Sequence, residues 1–126
     1  MSEQEKQPPV MYIFVNDDLE MSKGQLVAQC CHMAHLITDE RVTAMYEEYP
    51  PSADTLTYTR WRESCVKIVK RATASQLQEL SKLPYARHFV DEAKRIPGGS
   101  MTVVGFLPRS PTDVRVDIDL ERYRLL

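Results

Sequence analysis

Val10-Met-Tyr-Ile-Phe-Val15, followed by Asn16-Asp-Asp-Leu-Glu-Met-Ser-Lys-Gly-Gln-Leu-Val-Ala-Gln-Cys-Cys-His-Met-Ala34, decides how this chain folds. The first run is apolar without clear alternation, the pattern of a strand buried on both faces of an α/β sheet. Ser22-Lys23-Gly24 then supplies a candidate N-cap, a positive charge and a flexible backbone before a helical pattern begins. A strand, a short loop and a helix N-terminus make an anion-receptive corner, because unpaired N–H groups and the helix dipole both point outward there. Along the helix, Gln25, Gln29 and His32 fall at i, i+4 and i+7 and share one face. Leu26, Val27, Cys30, Cys31, Met33 and Ala34 are small or apolar and suit packing on a sheet. A polar stripe ending in His, on a helix otherwise built for burial, marks a candidate site.

Downstream, Asp39–Tyr49 carries the helix on, with Val42, Met45 and Tyr46 at i, i+3 and i+4. Pro50-Pro51-Ser-Ala-Asp-Thr55 ends it and opens a loop. Ser64–Lys70 reads as a second strand. Thr73 caps a short helix, with Gln76 at the capping-box position and Leu77 and Leu80 facing in. Arg87–Val90 is a brief strand, Pro97-Gly98-Gly99 a turn, and Met101–Leu107 a further strand stopped by Pro108. Pro111 starts a final helical turn before Arg122–Leu126. Strands alternating with helices define the α/β class.

With 126 residues the chain makes one domain, expected over 10–126 behind a polar, disordered tail over 1–9 that ends in Pro8-Pro9. Its 43% apolar and 27% charged residues are an ordinary globular balance. A formal net charge of −2 and a pI of 5.9 give no overall basic field to attract nucleic acid. Lys67, Lys70 and Arg71, preceded by Arg60 and Arg62, form either a local basic patch or a solvated strand edge. Cys30, Cys31 and Cys65 lack C-x-x-C spacing and read as reduced thiols in a cytoplasmic protein. His32, His35 and Cys30 diverge around the helix, so no metal site is expected. No apolar run reaches the ~18 residues of a membrane span.

The stretch after the first strand resembles the opening signature of the type-2 peptidyl-tRNA hydrolases, Arg-x-Asp-Leu-x-Met-x-x-Gly-Lys-x-Ala-Ala-Gln-x-x-His-Ala. Asp18-Leu19, Met21, Gly24, Ala28-Gln29 and His32 match with the spacing intact. Gly24–Ala34 also fits the Gly-x-Leu-Val-Ala-Gln-x-Cys-His-x-Ala pattern of the branch called peptidyl-tRNA hydrolase domain-containing proteins. Val66-Lys-Ile-Val69, Gln76-Leu-Gln-Glu-Leu80, Gly99-Ser100-x-Thr-Val103 and Tyr123-Arg-Leu-Leu126 have looser counterparts, so the likeness runs from about Tyr12 onward. It implies a four-stranded mixed sheet with helices on both faces. It also implies hydrolysis of the ester joining a peptide to the 3′-terminal ribose of tRNA, without metal or cofactor. The acceptor end of peptidyl-tRNA is the implied partner, and relatives of this fold often form homodimers.

Ester hydrolysis needs an activated water, a donor for the tetrahedral oxyanion and a proton for the leaving ribose. His32 is the candidate for proton transfer, because an imidazole works both ways near neutrality. Gln29 offers an amide donor, and Asp91 stands near the acidic position of the family's Asp-Ala-Gly-x-Thr-Gln-x-x-Pro-Gly-Ser run. Lys23, Gly24, Gln25, Asp18, Gly99, Ser100 and Thr102 are the candidate substrate-binding residues. Each has a plainer reading: a helix His on a carbonyl, a Gln tying helix to loop, a solvated Lys, a Gly turn, a Thr facing the core. Gln25 replaces the signature Lys, which removes a charge from the site, and Asp91 lies one residue out of step relative to Ser100. A non-catalytic relative binding RNA ends or protein is therefore the alternative. Tyr46, Tyr49, Tyr58 and Trp61 around Pro50-Pro51 either stack on unpaired bases or cover the edge of the core.

Overall fold

The apolar run folds as β1 (Met11–Asn16), and every residue of it is buried. The computed structural model describes residues 7–91 and 99–126. Most of the expected tail and of the Asp91–Ser100 loop, residues 1–6 and 92–98, therefore lies outside the described residues. Gln7 is already tied to the domain, its side-chain oxygen accepting from Thr112 N and Oγ1 at 3.2 and 2.8 Å.

The helical pattern gives one continuous helix, α1 (Lys23–Glu47). Its start is fixed by a capping box: Ser22 Oγ accepts from Gln25 N, and Gln25 Oε1 accepts from Ser22 N. Pro50-Pro51 ends α1 as expected, but the segment after it is a helix rather than a loop, α2 (Ala53–Trp61). Ser52 is its N-cap, and Thr55, Tyr58 and Trp61 form its buried stripe. Tyr58 and Trp61 thus belong to the core, whereas Tyr46 and Tyr49 are exposed. β2 (Lys67–Ala72) starts later than Ser64 because Cys65 takes a left-handed φ of 56° and breaks the extended run. Then come α3 (Ala74–Ser81), capped by Thr73 and Gln76 as expected, β3 (Ala86–Val90), β4 (Met101–Phe106) and α4 (Pro111–Asp117). A 3-10 turn, Leu120–Arg122, precedes the C-terminal residues.

The single four-stranded sheet has the order β2-β1-β4-β3. β1 and β2 are parallel; β1–β4 and β3–β4 are antiparallel. The crossover from β1 to β2 moves one way across the sheet and that from β2 to β3 the other. Right-handed crossovers therefore put α1 and α2 on one face and α3 on the opposite face. The α1 face carries Ile13 opposite Gly105 and Val15 opposite Val103. Met33 and Ile37 of α1 come so close to Gly105 that a Cβ there would overlap Met33 Cγ. On the other face Phe14 packs on Phe106 and Tyr123 at 5.1 and 5.2 Å between ring centres, with Leu77 and Leu80 of α3 in the same core.

The two edges of the sheet differ. Along β2 the C-terminal residues add a short antiparallel pairing: Leu125 bridges Lys70, Arg71 N donates to Arg124 O and Leu126 N to Val69 O. Lys70 is buried, and its ammonium donates to the carbonyls of Leu120 and Tyr123, both at 2.9 Å. It takes no part in a basic patch.

Candidate active site

β1, β2 and β3 finish, and β4 begins, at the same end of the sheet, where Asn16, Ala72, Val90 and Met101 come together. Asn16 is buried and closes this end: its Nδ2 donates to Met101 O at 2.8 Å and its Oδ1 accepts from Asp18 N at 2.9 Å.

The decisive irregularity is in the β3–β4 ladder. Phe89 pairs with Val103 but Val90 pairs with Met101, so Thr102 is the extra residue of a β-bulge. Strict alternation from Val103 and Gly105 would turn Thr102 away from α1. The bulge turns it back toward the helix, and its hydroxyl donates to Gln29 Oε1 at 2.7 Å, with Phe89 O at 3.2 Å. Gln29 is fully buried, which such a side chain tolerates only when both ends are bonded. Its Nε2 donates to Asp91 Oδ2 at 2.6 Å. His32, one turn along α1, has Nε2 3.9 Å from that same oxygen and stacks on Phe89 at 4.9 Å between ring centres. The His32 side chain is 46% exposed and that of Asp91 16%, so the imidazole fronts solvent with the carboxylate behind it.

Gln29, His32, Asp91 and Thr102 thus converge, whereas the other candidates lie around them or serve the fold. Asp18 Oδ2 accepts from Ala74 N at 2.8 Å and so caps the first turn of α3. Gln25 has its side-chain oxygen in the capping box. Lys23 and Gly24 are exposed on the first turn of α1. Gly99 sits in a turn at φ +79°, a value that favours glycine, and leads through half-buried Ser100 into β4. Phe89 escaped the sequence reading, since nothing in a five-residue strand says that one aromatic will carry an imidazole. Among the described residues no group of three His, Cys, Asp or Glu side chains is placed to hold a metal ion. Among them, too, no helix is long and apolar enough to cross a membrane.

This arrangement has a carboxylate fixed by a buried amide, an exposed imidazole beside it and an aromatic floor. The sequence model described as peptidyl-tRNA hydrolase PTH2 matches residues 9–118, most of the chain. The chain belongs to the type-2 peptidyl-tRNA hydrolase family. No curated protein matches it. The matched span contains Asn16, Gln29, His32, Asp91 and Thr102. At the level of the family, the associated activity is that of a peptidyl-tRNA hydrolase.

Proposed function

We propose that the chain is an active esterase that cleaves the ester between a peptide, or an N-blocked amino acid, and the 3′ ribose of tRNA. The observation that carries this reading is the bonded series Thr102–Gln29–Asp91 ending beside His32. His32 takes a proton from water as the water attacks the ester carbonyl. Asp91 stabilises the imidazolium, and the same proton then passes to the ribose oxygen as the bond breaks. Gln29 keeps the carboxylate in place. The N–H groups entering β4 at Gly99 and Ser100, and Lys23 at the rim, are the proposed contacts for the oxyanion and for the RNA. No metal or cofactor enters these steps. Three unpaired thiols, Cys30, Cys31 and Cys65, support a cytoplasmic setting.

The test is release of free tRNA from an N-blocked aminoacyl-tRNA. Wild type turns over, and His32→Ala and Asp91→Asn each lose about 100-fold or more, the usual worth of a general acid–base group. Absence of wild-type turnover above background removes the enzyme reading.

One observation favours a second reading, a family member that binds RNA ends without cleaving them. Gln25 stands where the signature carries Lys, and its side chain is turned into the helix cap rather than toward Asp91. Gln25→Lys separates the two. A large gain from a near-zero rate marks a lapsed enzyme, and no gain over a measurable rate marks a site that works without that charge.

A further inference from the structure

We infer that Arg71 and Arg124, on either side of the Asp17 carboxylate, form a phosphate-binding edge for the 3′ strand of an RNA whose terminal ester lies at His32. That the strand is RNA rests on the function proposed above; the edge itself rests on the geometry. Arg71 Nη1 lies 2.9 Å from Asp17 Oδ1, and Arg124 Nη2 lies 3.7 Å from Asp17 Oδ2. Two guanidiniums thus face one carboxylate, leaving a net positive charge and N–H donors that a single carboxylate cannot fill. The side chains are 37% and 82% exposed, so both forks are open to a larger anion.

The pair is built by the fold. Arg71 N donates to Arg124 O at 2.7 Å, so the pairing of the C-terminal residues with β2 sets the two side chains next to each other. Three other arginines are matched by acid: Arg41 and Arg87 bind Glu40, and Arg115 faces Glu121. With a formal net charge of −2 there is no general field to attract RNA, so local placement decides where phosphate goes. Asp17 directly follows β1, at the end of the sheet that holds Gln29, Asp91 and Thr102. From β2 to β3 is three strand spacings, about 14 Å at ~4.8 Å each. That is about four stacked nucleotides at ~3.4 Å per nucleotide. The phosphates concerned are therefore those of the strand that carries the ester, not of the distant body of the RNA.

Asp17 is the competitor that a phosphate displaces, and this gives the test an opposite-signed arm. The probe is an unacylated RNA hairpin with an unpaired 3′ strand ending in a free 3′-OH, titrated by fluorescence anisotropy at several salt concentrations. Arg71→Gln and Arg124→Gln each weaken binding several-fold and lower the slope of log K against log salt by about one. Asp17→Asn tightens binding, and Arg115→Gln, which removes the same charge from α4, leaves it unchanged. Wild-type affinity in both edge variants, weaker binding by Asp17→Asn, an equal loss in Arg115→Gln, or no RNA binding by wild type overturns the inference. Hydrolysis of an N-acetylated aminoacyl-adenosine, which lacks the upstream phosphates, reports on the ester chemistry alone. It persists if only the phosphate edge is wrong and vanishes if the proposed function is wrong.

Discussion

A glutamine amide has two ends that differ only in whether they give or take a hydrogen bond, and at Gln29 the choice is forced. The Asp91 carboxylate only accepts, so Nε2 faces it as the donor and Oε1 is left to take the hydroxyl proton of Thr102. Thr102→Val keeps the shape and removes the donor, stranding a buried carbonyl oxygen. The expected cost is about 1–3 kcal/mol in urea unfolding. Turnover of N-blocked aminoacyl-tRNA falls at least about tenfold, as for a misplaced catalytic group, and Thr102→Ser recovers most of both. The i, i+3 spacing of Gln29 and His32 was legible from the chain, because helical periodicity is regular over the whole of α1. The aim of Thr102 was not. Alternation along a strand predicts a side chain's face only where pairing is regular, and here one extra residue reverses it.

Between elements, the tie that holds α1 on β3, and so His32 over Phe89, is the bidentate pair of Glu40 with Arg87. Arg87 Nε and Nη2 lie 2.5 and 3.1 Å from the two carboxylate oxygens, and Arg41 adds a bond at 3.1 Å. Partial burial by itself pushes the Glu40 carboxyl up, but the hydrogen bonds and charges of Arg87 and Arg41 outweigh it and hold the group below its ordinary value. A value lower in the folded than in the unfolded chain contributes stability above the carboxylate range, and that stability is lost as pH falls through the folded value. Glu40→Gln therefore costs about 1 kcal/mol at neutral pH, discounted for its partial exposure, and the gap to wild type closes in acid. Urea midpoints at the two pH extremes measure it. Most elements were readable from local chemistry: the apolar run of β1, the capping boxes at Ser22 and Thr73, Pro108 after β4. α2 was not, because Pro50-Pro51-Ser52 looks like loop and Thr55, Thr57 and Thr59 are weak helix formers. Burial of Tyr58 and Trp61 and the Ser52 cap make that helix despite its propensity.

For the molecule as a whole, the last residues close one edge of the sheet and Lys70 holds them there. A lysine in a strand with Lys67 and Arg71 invites a surface assignment, and only contacts some 50 residues away in sequence bury it. Lys70→Met removes both bonds and strands the carbonyls of Leu120 and Tyr123, at a cost of about 2–4 kcal/mol. Hydrogen exchange at Arg71 and Leu126, whose amides hold the edge pairing, should accelerate more than exchange in β4. The bulge, in turn, makes the length of the chain a functional variable. If Thr102 is deleted outright, Phe89 with Val103 and Val90 with Met101 become consecutive regular pairs, so the sheet is relieved of an irregularity while Gln29 loses the partner that orients it. Loss or gain of a single codon at this place thus changes two things of opposite sign at once, the regularity of the sheet and the satisfaction of a buried amide.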